Sequence, residues 1–266
     1  MKDRVIVVTG ASAGIGAALV ELVAAKGARP VLVARRESEL RAVAATCGKD
    51  ALVVVADVTR RADVARALAE SIARFGQVDA WVNNAGRGIS RPVSQLTDED
   101  IDDMMLVNVK SALYGMQAVL PHFQGRGRGH VINVSSMLGR LPMAAFRSAY
   151  SASKHALNSL TANFRMEVQA SHPEIFVSTV HPGVVATEFG KNARHGGVDS
   201  RSFPGAQTAE EVAAVIADVI ERPRADVYTR PGAQQMVVGY YAAEDMGAAE
   251  KQPPFFQTPA VTTRTS

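Results

Sequence analysis

Short apolar runs recur along the 266-residue chain, and between them the apolar positions fall at helical spacing. The runs lie at 4–9, 30–34, 52–56, 80–82, 130–134, 175–180 and 227–229, and six of the seven are rich in Val or Ile. Most lack an alternating polar face, the pattern of strands buried on both sides of a parallel sheet. Helical periodicity predicts helices over 14–26, 37–46, 62–75, 98–121, 149–171 and 208–221. Strand and helix in repeated alternation predict an α/β chain built on one doubly wound sheet of about seven parallel strands flanked by helices. Ligands of such sheets bind beyond the carboxyl ends of the strands, where the strand order reverses.

Composition fits one core: 47% of the residues are apolar. Residues 1–230 are expected to form a single domain and 231–266 an extension. Within the extension, 231–241 can pack on the core or on a neighbouring subunit. Residues 242–266 lose apolar periodicity and end in Pro, Thr and Gln, which predicts a flexible or extended arm. The formal charge is only +3, and Arg35-Arg36, Arg60-Arg61, Arg126 and Arg128 lie in separate connections, so no nucleic-acid stripe is expected. Cys47 is the only cysteine, which forbids an intramolecular disulfide and suggests a reducing, cytoplasmic home. Met1 to Arg4 lead straight into a strand-length run without a signal-peptide pattern, and no run approaches the roughly 18 residues of a membrane span.

Candidate chemistry sits at the predicted strand ends. After the first strand comes Thr9-Gly10-Ala11-Ser12-Ala13-Gly14-Ile15-Gly16. Gly10, Gly14 and Gly16 permit a tight turn and close backbone approach. The amides around Ser12, Ala13 and Ile15 can then cradle a pyrophosphate, although an ordinary tight turn would also hold glycines. The second strand ends Ala34-Arg35-Arg36, where an NAD binder would place an acidic residue for the ribose 2′-hydroxyl. Arg35, with Arg36, suits a 2′-phosphate instead, so NADP(H) is expected ahead of NAD(H). Tyr150 and Lys154 stand four residues apart at the head of a helix, on one face. A free tyrosine has a pKa near ~10, and a neighbouring ammonium favours its phenolate.

These motifs, taken in order, resemble the short-chain dehydrogenase/reductase family from about residue 4 to residue 228. The resemblance rests on the glycine motif, Asp57, Asn83-Asn84-Ala85-Gly86, Asn108, Ser136 in Asn133-Val134-Ser135-Ser136, Tyr150 with Lys154, and His181-Pro182-Gly183 with Thr187. It implies a Rossmann-like fold and hydride exchange between a nicotinamide dinucleotide and a carbonyl/alcohol pair. It further implies that Asp57 and Val58 hold the adenine, that Asn84, Ala85 and Gly86 line the cofactor, and that Pro182, Gly183, Val185 and Thr187 face the nicotinamide. Asp57 also suits helix capping near Thr59. By the same resemblance Ser136 binds the substrate oxygen, Tyr150 protonates it, Lys154 lowers the Tyr pKa and holds the ribose, and Asn108 anchors a relay water. Ser135 is the alternative to Ser136. His181 reads as a packing residue.

No metal is expected, because the six histidines show no paired ligand spacing. Residues 187–204 are rich in Gly and polar side chains and predict a mobile lid over the substrate. Lys191, Arg194, His195 and Arg201 in it suit either an acidic substrate or a solvated face. Leu138, Leu141, Met143 and Phe146 predict an apolar wall, leaning toward a hydrophobic ketone, aldehyde or secondary alcohol. Family resemblance implies a homodimer or homotetramer. A cofactor-binding regulator without turnover, an NAD(H)-dependent dehydrogenase and an epimerase are the alternatives.

Overall fold

The apolar run predicted at 4–9 forms β1 (Val5–Thr9), buried at all five positions. Val5 and Val7 enter one core, Ile6 and Val8 the other, so the sheet is covered on both faces. Burying a valine fully contributes roughly 1.5–3 kcal/mol, which explains why these strands carry no polar alternation. The computed structural model describes residues 1–255. After β1 come α1 (Gly14–Ala25), β2 (Arg29–Ala34), α2 (Glu37–Thr46), β3 (Leu52–Val55), α3 (Arg61–Phe75), β4 (Ala80–Asn83) and α4 (Asp98–Met105). Then follow α5 (Ser111–Arg126), β5 (Gly129–Val134), α6 (Ser148–Gln169), β6 (Ile175–His181), α7 (Ala209–Glu221), β7 (Asp226–Tyr228), α8 (Ala233–Tyr241) and α9 (Met246–Ala249).

All pairings are parallel and the strand order is β3-β2-β1-β4-β5-β6-β7. This is the single-domain Rossmann-like sheet expected from the alternation of elements. The order reverses between β1 and β4, so a crevice opens where those two strands end. α1 and α7 cover one face; α3, α5 and α6 cover the other. A polar chain crosses the second layer. Asn83 accepts from Trp81 Nε1 (2.8 Å) and donates to Asn133 Oδ1 (2.8 Å), and Asn133 donates to Thr161 Oγ1 (2.8 Å). All four side chains are buried. A Cβ on Gly115 would collide with Asn83 and Trp81, so the glycine lets α5 lie against the network.

Most element boundaries lie a residue or two from the sequence expectation, and two stretches differ in kind. The helix predicted over 98–121 is two helices joined by a π-turn, Leu106–Lys110, and the second runs through Pro121 to Arg126. Buried Met116, Val119 and Phe123 carry α5 past the proline, packing outweighing one lost amide bond. β7 begins at Asp226, which pairs with Thr179, one residue earlier than predicted. The segment from 242 does not begin as an extended arm. Asp245 caps α9 through the Ala248 amide (3.1 Å), and Tyr240 donates to Glu250 (2.7 Å). A single helical turn is too short to show periodicity. Residues 256–266 of the predicted arm lie outside the described residues. Among the described residues no helix is long and apolar enough to cross a membrane.

Candidate active site

The β1–α1 turn is built by packing that excludes side chains. Gly10 has φ +69°, and a Cβ there would stand 2.9 Å from the Ala85 Cα at the end of β4. A Cβ on Gly16 would strike the Gly10 carbonyl. Thr9 fastens the two strand ends together: its hydroxyl accepts from the amides of Asn84 (3.0 Å) and Ala85 (3.1 Å). The Asn84 side chain is committed to the same turn, donating to the Thr9 carbonyl at 2.9 Å. Ala13 caps α1 without a side-chain acceptor, so the first amides of that helix have no side-chain cap. That turn fits a pyrophosphate, since a helix start with open amides attracts an anion. Thr187 stands over it, its methyl 3.1 Å from where a Cβ on Gly14 would lie.

The β2 end carries Ala34 buried and Arg35 exposed. Arg36 donates to the Ser12 hydroxyl at 3.0 Å and lies 3.5 Å from Glu39, so one arginine is tethered to the glycine turn and the other projects from the same corner. Asp57 accepts the amide (2.9 Å) and hydroxyl (2.7 Å) of Thr59 on one oxygen; it shapes this turn, and the N-cap of α3 is Arg60. Burial raises the Asp57 pKa, but the Thr59 bonds and the charges of Arg35 and Arg60 outweigh it and hold the carboxyl below its usual value. Val58 packs on the adjacent core. Ile15 packs on the opposite core, as does Val185. Pro182 accepts from the Met137 amide (2.8 Å). A Cβ on Gly183 would meet Arg230 at 2.7 Å, so that glycine also serves packing.

Tyr150 and Lys154 occupy the opening turns of α6 and both are buried. Lys154 Nζ donates to the Val134 carbonyl (2.9 Å) at the end of β5 and lies 5.8 Å from the centre of the Tyr150 ring. Burial pushes the phenol up to about 12, against the Ser136 hydroxyl and the Arg147 guanidinium, which both pull it down. Burial pushes Lys154 down to about 8. The lowered tyrosine expected from the sequence is therefore reversed: both groups lose water, and desolvation exceeds the help of a neighbouring cation. Ser136 accepts from the Leu138 amide (3.1 Å), whereas Ser135 leans on the Lys154 carbonyl (3.5 Å). A Cβ on Gly86 would lie 3.0 Å from Asn108 Oδ1 and 3.7 Å from Lys154 Nζ, so that glycine keeps the approach open. Asn108, in the π-turn, is fixed by the amide and carbonyl of Arg87 (both 2.9 Å) and donates to Ser153 (3.1 Å), which donates to the Tyr150 carbonyl (2.7 Å). Asn108 thus reaches the tyrosine backbone through Ser153.

Residues 187–204 lie over this centre. Phe189 meets Tyr150 edge to face, ring centres 5.5 Å apart. The segment is tied down by the fully buried Asp100, which accepts from Arg194 Nε (2.5 Å), His195 Nε2 (2.8 Å) and Arg91 (2.9 Å). Burial alone would raise the Asp100 pKa; these partners hold it far below the carboxylate range. Arg201 pairs with Asp199 and Glu188, so the basic residues of this segment other than Lys191 already have acidic partners. The expected apolar wall is divided: Leu138 packs with Ile89, Met104 and Tyr150, while Leu141 and Met143 lie beneath α8.

Thr9, Asp100, Arg147 and Ser153 escaped the sequence reading. In the structure Asp100 also closes a capping box with Thr97 at the start of α4. Arg147 is the N-cap of α6 and lies outside the helix expected over 149–171, so the helix-face argument that found Lys154 did not reach it.

Comparison with known proteins places this arrangement. The sequence model described as short chain dehydrogenase matches residues 4–197. An uncharacterized oxidoreductase of Bacillus subtilis, YxnA, is 36% identical over 239 residues, 86% of this chain; the chain spans 65% of that relative's length. A 3-ketoacyl-(acyl-carrier-protein) reductase of Brucella melitensis complexed with NADH superposes with TM-score 0.77 at 26% identity, covering 85% of this chain and 96% of that one. A serine dehydrogenase complexed with NADP+ does so with TM-score 0.78 at 28% identity, covering 85% and 94%. The sequence match runs from the first strand past Thr187, and on it the chain belongs to the short-chain dehydrogenase/reductase family of oxidoreductases.

Proposed function

We propose that the protein interconverts a carbonyl compound and an alcohol with a nicotinamide dinucleotide, NADP(H) in preference to NAD(H). The observation that carries this is the buried pair of Tyr150 and Lys154, one helical turn apart, with the Lys154 ammonium 5.8 Å from the centre of the phenol ring and the Ser136 hydroxyl beside it. When bound, the nicotinamide supplies the hydride in reduction and accepts it in oxidation.

This chain's residues do the rest. Ser136 donates a hydrogen bond to the substrate oxygen. Tyr150, neutral at working pH, gives that oxygen its proton. Lys154, whose burial brings it to about 8, holds the ribose hydroxyls and stabilises the phenolate left behind. Asn108 and Ser153 hold the first turn of α6 in register and feed the proton path. Gly10, Ser12, Ala13, Gly14, Ile15 and Gly16 bind the pyrophosphate. Asp57 and Val58 take the adenine edge; Asn84, Ala85 and Gly86 line the opposite wall; Pro182, Gly183, Val185 and Thr187 orient the carboxamide.

The preference for NADP(H) rests on Arg35, exposed beside Ala34 where an acidic residue would serve NAD(H), with Arg36 held close through Ser12. Related structures carry NADH in one case and NADP+ in the other. Exposed Leu160 and Met166 on α6, with Ile101 on α4, support a homodimer or homotetramer, and the lone free Cys47 suits the cytoplasm. Incubation of the purified protein with NADPH or NADH and a panel of ketones, aldehydes and alcohols, followed by cofactor absorbance, tests the activity. Cofactor binding with no turnover across the panel would overturn it.

A further inference from the structure

We propose that Arg147 receives an anionic group of the substrate, so that the natural substrates are oxo acids and the corresponding hydroxy acids. The inference rests on the reaction proposed above and names its substrate class.

Arg147 is half-buried one helical turn before Tyr150, close enough for its charge to favour the phenolate. Of its five N–H donors, one is committed to the protein, to the Ile89 carbonyl at 3.2 Å. The guanidinium also lies 5.3 Å from the centre of the Phe146 ring. Among the described residues no carboxylate pairs with it. Its neighbours explain why: Asp100 is taken by Arg91, Arg194 and His195, and Glu188 lies against Arg201. Partial burial of a guanidinium without a counterion is costly, and burial lowers its pKa.

Arg147 and Phe189 converge on the same spot. A Cβ on Gly88 would stand 3.0 Å from Arg147 Nη1 and 3.0 Å from Phe189 Cε1. Phe189 in turn meets the Tyr150 ring at 5.5 Å. The other guanidinium nitrogen lies 3.3 Å from where a Cβ on Gly197 would stand, so the unpaired guanidinium sits between Gly88 and the 187–204 segment, and Phe189 links it to the Tyr150 ring. A substrate whose carbonyl oxygen lies at Tyr150 would direct a carboxylate at Arg147 and its carbon chain along Phe189. A guanidinium suits that group through two parallel N–H bonds. The conversion balances as before: an oxo acid, one hydride from the reduced dinucleotide and one proton from Tyr150 give a hydroxy acid and oxidised dinucleotide.

An Arg147 that merely anchored the 88–91 loop would affect all substrates alike, and the test separates the two roles. The NADPH complex is titrated calorimetrically with isobutyrate and with isobutyramide, and kcat/KM is measured for 4-oxopentanoate and 2-oxobutanoate against their methyl esters. Wild type should favour the acid over the neutral partner by at least about tenfold in both measurements. Arg147→Gln should bring both ratios to near one, mainly through KM, and Arg147→Lys should restore part of them. NADPH affinity and thermal unfolding, measured for each variant, confirm folding. Equal binding of acid and amide by wild type, or an acid preference that survives Arg147→Gln, would overturn the proposal. Retained anion preference without turnover of any carbonyl would keep the anion site and remove the oxidoreductase reading instead.

Discussion

Lys154 lies 5.8 Å from the centre of the Tyr150 ring, yet its ammonium donates to the Val134 carbonyl at 2.9 Å. The lysine is thereby anchored to the end of β5, beside the crevice between β1 and β4, and the tyrosine stays neutral. Tyr150→Phe should lower kcat by at least about 100-fold while NADPH affinity stays within about twofold. Lys154→Ala should damage both. Steady-state kinetics with a fluorescence titration of NADPH would read the split. Ser136→Ala should cost more kcat than Ser135→Ala, because Ser136 faces the phenol.

Arg35→Asp places at the β2 end the acidic group that a ribose 2′-hydroxyl would need. NADPH affinity should fall at least about tenfold and NADH affinity rise. An unchanged NADPH preference, measured by dissociation constants for both cofactors, would remove Arg35 from the phosphate site.

Asp100 is a buried anion that accepts from Arg91, Arg194 and the His195 ring, on two loops. Asp100→Asn leaves Arg194 without its counter-charge and weakens the bond to His195, and should release residues 187–204. We expect KM to rise on the order of tenfold, with a lower Tm. Limited proteolysis should cut the variant between 187 and 204 faster than wild type, and equal rates would count against a latch.

His130 is buried between strands, its ring 2.8 Å from the Ser178 hydroxyl, and burial lowers its pKa to about 3, with Arg4 adding repulsion. An unfolded histidine titrates near ~6.5. Between these values the unfolded chain binds the extra proton, so stability is full above about pH 6.5 and is lost as pH falls toward 3. The loss from this group is at most on the order of 5 kcal/mol. Urea midpoints from pH 7 to pH 4 should fall steeply in wild type and less steeply in His130→Gln.

The layout of this molecule could be read from its sequence because continuous Val and Ile runs have few other uses than doubly covered strands. The glycine turn and the Tyr150–Lys154 spacing were legible for a related reason, each being a local pattern with a local cause. The ionisation of Tyr150 was not. Its sign depends on how much water the surrounding layers remove, which no spacing reports. Nor was the Asp100 cluster, since two of its three partners lie 94 and 95 residues along the chain. The interruption of the long helix was hidden because the residues of its π-turn remain as helix-compatible as their neighbours.

That interruption has a mechanical consequence. Each residue turns an ideal helix by about 100°, so one additional residue in a turn rotates everything downstream by that angle. α4 and α5 are therefore out of phase although they are nearly continuous. α4 directs Asp100 and Met104 toward the 187–204 segment and the tyrosine, while α5 directs Met116, Val119 and Phe123 into the sheet. Removing one residue between Leu106 and Lys110 would not simply shorten a connection. It would turn one helix face away from its target, so the stretch acts as a phase shifter whose length is itself the information.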